Sequence, residues 1–368
     1  MHIAHLTTVH HPQDPRIFHR QCKTLRDAGY TVHLVAQRST SATVEGIRVH
    51  ALPEVSGRWA RLKLQGPLYH TARSIPATVY HIHDPELIPI AWLLKRTTGA
   101  SVIYDMHEDY RGHGPMQGRV LRALERWAFR WVDHVVYANA AHRSIVDGAT
   151  VPATRIPNYP VAPDNEKVSP RHVPRRVLYT GVMADQGGRG LSNLIALARH
   201  LHNDTHDWRM RLAGVCYVDA DRMHAERAIA EYRVGETVER VGWSVYVPHE
   251  ELKPHYPASD VGLMLAMSHP NMQTKLPTKF YEYLQYGLPI LCSDFPLWRA
   301  FIEKHGCGAV VPPGDAEAAA EVLRNWRNNP GVYDACARAA YRASLKFRWK
   351  HVAPTLRSVY QRVCCTNR

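Results

Sequence analysis

The sequence predicts an α/β protein of two domains, each built on a parallel sheet. Three observations carry the prediction. Short apolar runs alternate with amphipathic stretches of helical length. Near the middle, a segment poor in apolar residues breaks the alternation with Pro160, Pro163, Pro170 and Pro174. Beyond it the alternation starts again. A chain of 368 residues has room for two domains of roughly 100–200 residues each.

The first half predicts strands at 2–6, 31–36, 47–51, 79–83, 102–105 and 134–137, with helices at 16–28, 87–96, 118–131 and 141–147. Strands alternating with helices argue for a parallel sheet covered on both faces. The prolines exclude a helix or a central strand from the middle segment, which reads as a linker. The second half predicts strands at 177–179, 209–213, 237–240, 261–265, 288–292 and 309–311, and a helix at 190–201. A last helix, 351–363, follows a break at Phe347-Arg348-Trp349 and is expected to cross back onto the first domain. The division is therefore 1–160, a linker at 161–176, 177–346, and a closing segment at 347–368. Such paired domains bind ligands outside the carboxyl ends of their strands.

One stretch of the second half, 274–294, packs a loop, a helix and a strand into a short span. Pro277 is expected at the first helical position, where its missing N–H is not needed. Gly287 is expected to close the helix in the left-handed region. Thr278 and Glu282 stand four apart, on one face. A helix N-terminus suits a phosphate, and Lys275 and Lys279 flank this one. A carboxylate one turn deeper, Glu282, could hold a ribose by its paired hydroxyls. The combination suggests a nucleotide-sugar site.

Composition narrows the classes. The hydrophobic fraction of 45% is that of a globular protein, and no apolar run reaches the roughly 20 residues of a membrane span. The start, Met1-His2-Ile3-Ala4-His5-Leu6, reads as a strand and not as a signal peptide. Seven scattered cysteines form no spaced metal quartet, so a reduced, cytoplasmic setting is expected. Lys and Arg number 46 against 33 Asp and Glu, a net +13. That surplus favours an anionic partner: nucleic acid, an acidic membrane surface or a phosphorylated ligand.

Two successive strands end in ionisable clusters. The first gives His81, His83 and Asp84, with Asp84 read as the N-cap of a helix entered through Pro85. His81 and His83 share one strand face but lack a clear third metal ligand. The second gives His107, Glu108, Asp109 and Tyr110. The loop 7–16 has no glycine-rich dinucleotide fingerprint, which counts against a nicotinamide or flavin enzyme. Arg16 in that loop could meet an anion, although a solvated helix position is favoured. In the second half, 179–190 follows a strand and opens a helix. Its glycines, Gly181 among them, let backbone approach a ligand closely. Arg189 can pair with phosphate through its planar fork.

With these pieces in order the chain resembles the GT-B glycosyltransferases, and within them the retaining family 4 of bacterial polysaccharide synthesis. The resemblance rests on HLTTVHHPQDPRIFHRQCKTLRDAGYTVHLVA, VYHIHDPEL, VIYDMHEDY, GVMADQGGRG, KLPTKFYEYLQYGLPILCSDFPLWR and the closing helix after FRW. It implies two Rossmann-like domains with parallel sheets facing across a cleft. It implies that Glu282 is the second glutamate of an E-x7-E motif and holds the donor ribose. The first glutamate of that motif is replaced here by Thr274. Arg189 matches the basic residue that grips the donor diphosphate. A second phosphate arginine, expected near Val182 or Met183, is absent, and Lys275 or Lys279 would compensate. His107 matches the histidine lining the reaction centre, with His83 and Asp84 beside it.

The implied reaction is a retaining transfer from a UDP- or GDP-type nucleotide sugar to a glycan or lipid-linked acceptor hydroxyl. It is expected to need neither cofactor nor metal. Two basic amphipathic stretches, 57–64 and 119–130, suit an anionic membrane surface. In the second, Leu121, Leu124, Trp127 and Trp131 interleave with Arg122, Arg126 and Arg130. The expected place is the cytoplasm, peripheral on the inner face of the membrane. The alternatives are a nucleotide-sugar epimerase of the same fold, a subunit that binds without catalysing, and a nucleic-acid-binding protein. No nucleic-acid motif is found, and no nucleic acid is expected.

Overall fold

The computed structural model describes residues 1–55, 57–107, 115–161, 173–204 and 207–365. The chain divides into two compact units, Met1–Val161 with Trp349–Arg368, and Ala162–Arg348. Glu108, Asp109, Tyr110 and most of the proline-rich segment lie outside the described residues.

The first unit is built on eight strands: β1 (His2–Leu6), β2 (Thr31–Gln37), β3 (Ala42–Val44), β4 (Ile47–Leu52), β5 (Val79–Ile82), β6 (Ser101–Met106), β7 (His134–Tyr137) and β8 (Ala153–Arg155). Their order is β3-β4-β2-β1-β5-β6-β7-β8, parallel except for the β3–β4 hairpin. Every residue of β5, β6 and β7 is buried. Covered on both faces, these strands are mainly apolar without alternation, and their polar residues, His81, Ser101, Asp105 and His134, are buried with the rest. The order reverses between β1 and β5, so β1 leads to β2 on one side while β5 leads to β6 on the other. The gap between two such crossovers opens at the carboxyl ends of the strands, where α/β sheets place ligands.

The closing helix Ala353–Cys365 belongs to this unit. Trp349, Val352, Leu356, Val359, Tyr360 and Val363 pack with Ile3, Phe18, Leu34 and Val79 in one core. Trp349 anchors the return, its backbone N–H donating to Pro160 O at 2.8 Å and its indole N–H to Thr24 Oγ1 at 2.8 Å.

The second unit carries β9 (Arg176–Val182), β10 (Arg209–Val215), β11 (Val238–Trp243), β12 (Val261–Met264), β13 (Ile290–Ser293) and β14 (Gly308–Val311). Their order is β11-β10-β9-β12-β13-β14, parallel throughout. Its crossovers diverge between β9 and β12, again marking one edge.

The sequence reading assigned no element to β3, β8 or the helices Gln65–Ser74, Asp219–Glu231, Pro296–His305, Ala316–Asn328 and Pro330–Ser344. β8 is half-exposed with no large apolar residue, and β3 is a hairpin arm turned by Glu45 and Gly46, both at positive φ. The predicted helix at 16–28 instead begins with π-helical turns, Pro15–Cys22, continued by Lys23–Asp27. Among the described residues no helix is long and apolar enough to cross a membrane.

Candidate functional site

In the first unit the site edge is organised by Asp105, fully buried at the end of β6. Arg16 is not the solvated residue the sequence suggested. It is buried and bidentate on this carboxylate, Nε to Oδ2 at 2.8 Å and an η-nitrogen to Oδ1 at 2.7 Å. Its other η-nitrogen donates to Ile156 O at 2.8 Å and Asn158 Oδ1 at 2.6 Å. Gln21 adds a bond to Asp105 Oδ2 at 2.7 Å. Burial alone would raise the Asp105 carboxyl, but Arg16, His107 and His83 overcome it and hold the group well below the usual carboxylate range. A π-helical start is what turns Arg16 inward: Asp14 caps it, Oδ1 accepting from the N–H groups of Arg16 and Ile17 at 2.8 and 2.9 Å.

Three histidines face Asp105 Oδ2: His83 and His107 at 3.4 Å, His81 at 3.9 Å. Burial pushes His83 down to about 3. Burial and then a neighbouring histidine also hold His5 and His81 well below the ordinary value. These rings are neutral. His107 is the one that reaches solvent, its side chain 14% exposed.

Asp84 does not cap the turn Pro85–Leu87 through its side chain. Its Oδ2 accepts instead from Thr7 Oγ1 (3.0 Å), Thr8 N (2.6 Å), Thr8 Oγ1 (3.3 Å) and Val9 N (3.2 Å). Asp84 therefore shapes the loop after β1. The same loop carries His10, which the sequence reading did not single out. His10 lies 3.4 Å from Asp14 Oδ2 and 3.6 Å from Asp84 Oδ1, with its ring 4.7 Å from that of His107. Burial pulls His10 down, but the hydrogen bond to Asp14 and the surrounding carboxylates raise it to about 9. A histidine four residues before a helix-capping aspartate was the signal available. Among the described residues two groups have metal-ligating types at close range, His5–His81–His83 and His83–Asp105–His107. In the second, Asp105 is already paired with Arg16 and Gln21, and a cation would face the guanidinium.

In the second unit the edge gathers the donor candidates. Gly181 (φ +102), next to last in β9, lies beside Lys279, whose Nζ would lie 3.1 Å from a Cβ at that position. Nζ sits 5.0 Å from the centre of the Tyr179 ring. Burial lowers Lys279 to about 8, helped by the neighbouring charges of Arg189 and Lys275 and opposed by Glu282. The charge of Arg189 also acts on the Tyr179 hydroxyl, which burial raises to about 12 against that pull and which donates to Val182 O at 2.9 Å. Lys279, Arg189, Lys275, Gly181 and Glu282 are thus brought together.

The Glu282 carboxylate is fixed by the buried Tyr256, whose hydroxyl donates to Oε2 at 2.9 Å. Tyr256 stacks flat on Tyr286, centroids 5.0 Å apart. The supporting helix is Thr278–Gln285, with Thr278 its first residue. Pro277 is its N-cap and not its first helical residue, because its ψ of 141° is extended. Gly287 (φ 64) follows the helix in the left-handed region. Thr274 stands apart. It is exposed, and its hydroxyl donates to Pro270 O at 3.3 Å.

The loop carrying Arg189 is held from two sides. Asp221 accepts from the N–H groups of Asp185 and Gln186 at 2.8 and 3.2 Å. Gly188 and Gly190, both at positive φ, lie so close to 265–269 that a Cβ at Gly190 would fall 2.2 Å from Leu265 O. Met267 N donates to Gly188 O at 2.9 Å.

Two family models match the chain, the glycosyl transferase 4-like domain over residues 15–160 and glycosyl transferases group 1 over residues 164–343. A curated relative, the amylovoran biosynthesis glycosyltransferase AmsK of Erwinia amylovora, is 24% identical over 186 residues. That match spans half of this chain and 44% of the relative. Among solved structures, a sucrose-phosphate synthase of Thermosynechococcus elongatus superposes with a TM-score of 0.75 at 16% identity, covering 99% of each chain. Anabaena HepE, solved in complex with UDP-glucose, gives 0.73 at 13% identity over 98% of this chain and 99% of its own. A glycosyltransferase of Rickettsia africae gives 0.69 at 14% identity over 98% of each. These last likenesses bear on the fold. Two family models in tandem, on two parallel-sheet units, place this chain in the GT-B glycosyltransferases as a family 4-like member.

Proposed function

We propose that the protein transfers a sugar from a nucleotide-sugar donor to a hydroxyl of a glycan or lipid-linked acceptor. One observation carries the reading: Arg189, Lys279 and Glu282 converge at the β9–β12 edge. Two cations beside a helix N-terminus suit a diphosphate. A carboxylate with one oxygen held by Tyr256 leaves the other for the paired hydroxyls of a ribose. The presence of UDP-glucose in the HepE complex favours a UDP-type donor, and the name of AmsK favours a polysaccharide acceptor.

In this reading Arg189 and Lys279 stabilise the charge of the departing diphosphate. The acceptor hydroxyl passes its proton to that phosphate on one face of the sugar, so configuration is retained with no enzymic nucleophile. His107 orients the sugar, and Asp84 and His83 hold their surroundings. No metal ion takes part. The protein works on the inner face of the cytoplasmic membrane, bound peripherally. Glu282→Ala tests the assignment. Losing hydrogen bonds to a charged group, about 1.5–3 kcal/mol each, should raise the donor Kd at least tenfold. Unchanged donor affinity with full turnover would sink the ribose role.

A further inference from the structure

His107 ends a buried chain of hydrogen bonds that starts in the closing helix. Tyr360 lies inside the first unit's core. Its hydroxyl is 2.6 Å from His81 Nδ1 and 3.3 Å from His5 Nε2. His5 Nδ1 is 2.9 Å from His83 Nε2, and His83 Nδ1 is 3.2 Å from His107 Nε2. Each ring along this path uses one nitrogen toward one neighbour and the other nitrogen toward the next.

A neutral imidazole has one N–H and one lone pair. The rings between Tyr360 and His107 are neutral, so the chain has a direction, and fixing one proton fixes all of them. Tyr360 has a single proton and two histidine neighbours. The shorter contact assigns it to His81 Nδ1. Tyr360 Oη must then accept from His5 Nε2, His5 Nδ1 from His83 Nε2, and His83 Nδ1 from His107 Nε2. A neutral His107 is then left with a bare Nδ1. Asp105 favours the same direction: it turns the N–H of His81 and of His107 toward Oδ2, at 3.9 and 3.4 Å, and only the His83 lone pair opposes. The reverse direction would aim two lone pairs at the carboxylate.

We propose that Tyr360 is a positioning residue: through His5 and His83 it sets the tautomer of His107, so that Nδ1 is offered as a hydrogen-bond acceptor at the site edge. The inference rests on the proposed function in one respect, that His107 faces the donor sugar. An Nδ1 lone pair there accepts from a sugar hydroxyl, and the opposite tautomer would have to donate. The C-terminal helix thereby becomes part of the site although it supplies no group that touches substrate.

The test is long-range 15N–1H NMR of the full chain labelled at histidine nitrogens, with His107 assigned by its loss in a His107→Gln sample. The wild-type signal should be that of an Nε2–H ring. In Tyr360→Phe the direction-setting proton is gone, and His107 should become a mixture of tautomers. In His81→Phe the hydroxyl is freed to donate to His5, the chain reverses, and His107 should become an Nδ1–H ring. Transfer by Tyr360→Phe should fall roughly tenfold in kcat, the scale of one hydrogen bond, with little change in donor KM. An Nδ1–H wild-type ring, or identical His107 signals in both folded variants, overturns the proposal. A wild-type protein that transfers from no nucleotide sugar would overturn the functional reading instead, and the tautomer result would still decide the relay.

Discussion

Lys279 is the side chain at which solution pH should act on donor binding. Its value is lowered from 10.5 to about 8, by burial first and by Arg189 next. A diphosphate prefers the charged ammonium, so donor affinity should be highest below about pH 8 and decline as pH rises through it. Calorimetric Kd values between pH 6.5 and 9.5 check this (range chosen about that midpoint), and Lys279→Met should flatten the profile. The effect of this group on stability has the opposite sign. Its folded pKa lies below its unfolded one, so the unfolded chain holds more protons between about 8 and 10.5, and stability rises with pH across that window. His10 runs the other way. It is raised from 6.5 to about 9, so its contribution is complete below 6.5 and is lost as pH rises through about 9. The Tm difference between wild type and His10→Ala should therefore shrink from pH 6 to pH 10. Asp105 carries the largest single stake. Removing one partner of a buried ion pair costs about 3–5 kcal/mol, so Asp105→Ala should unfold at much lower denaturant than wild type, with Arg16 left buried and uncompensated.

The glycine loop after β9 shows how an element sets a site. Gly190 has φ +77 and no room for a Cβ beside Leu265 O, whereas Gly187 has φ +71 and open space around it. Gly187→Ala should therefore cost only the left-handed strain, about 1–2 kcal/mol. Gly190→Ala must also push the loop off 265–269, moving Arg189 with it. Donor affinity measured on both variants separates strain from displacement, and equal losses would mean that the 265–269 contact does not hold the loop. This loop was legible in the sequence because glycines between a strand and a helix have a backbone meaning. So was the order of the buried strands, since a doubly covered sheet demands mainly apolar runs, whereas five of the helices between and after them were not. The direction of Arg16 was not legible. Its partner Asp105 is distant in the chain and meets it only when β6 is placed two strands from β1. Asp84 misled for a related reason. Its position before Pro85 satisfies the rule for a cap, yet across the β1–β5 pair the N–H groups of Thr8 and Val9 compete for the same oxygen and win. The histidine relay was half legible, as His81 and His83 on one strand face, but its Tyr360 member comes from the last helix.

At the scale of the whole chain the net charge of +13 poses the question of an anionic surface, and the first unit offers a more specific answer than charge alone. The interleaved apolar face expected at 119–130 is not available to a membrane. Leu121 is buried, and Leu124, Trp127 and Trp131 pack against the core. Exposed apolar side chains stand off that face: Met116 and Val120, 76% and 55% exposed, near the start of the helix Pro115–Ala128, and Trp59 and Leu62, 82% and 49% exposed, on the short helix Arg58–Leu62. Both helices border the turn Pro85–Leu87, Arg58–Leu62 through Arg61, 3.4 Å from Glu86, and Pro115–Ala128 by direct packing. Apolar tips among arginines are the pattern of an interfacial binder. The chain should sediment with vesicles of anionic lipid at low salt, stay in solution with neutral lipid, and be released as salt shortens the screening length to a few Å near 1 M. Trp59→Ala combined with Met116→Ser should weaken sedimentation while leaving Tm unchanged, since neither side chain supports the core. If the double variant sediments like wild type, these tips are not the contact. If the wild type itself fails to sediment at low salt, the net charge serves phosphorylated ligands in solution, and the membrane reading is wrong.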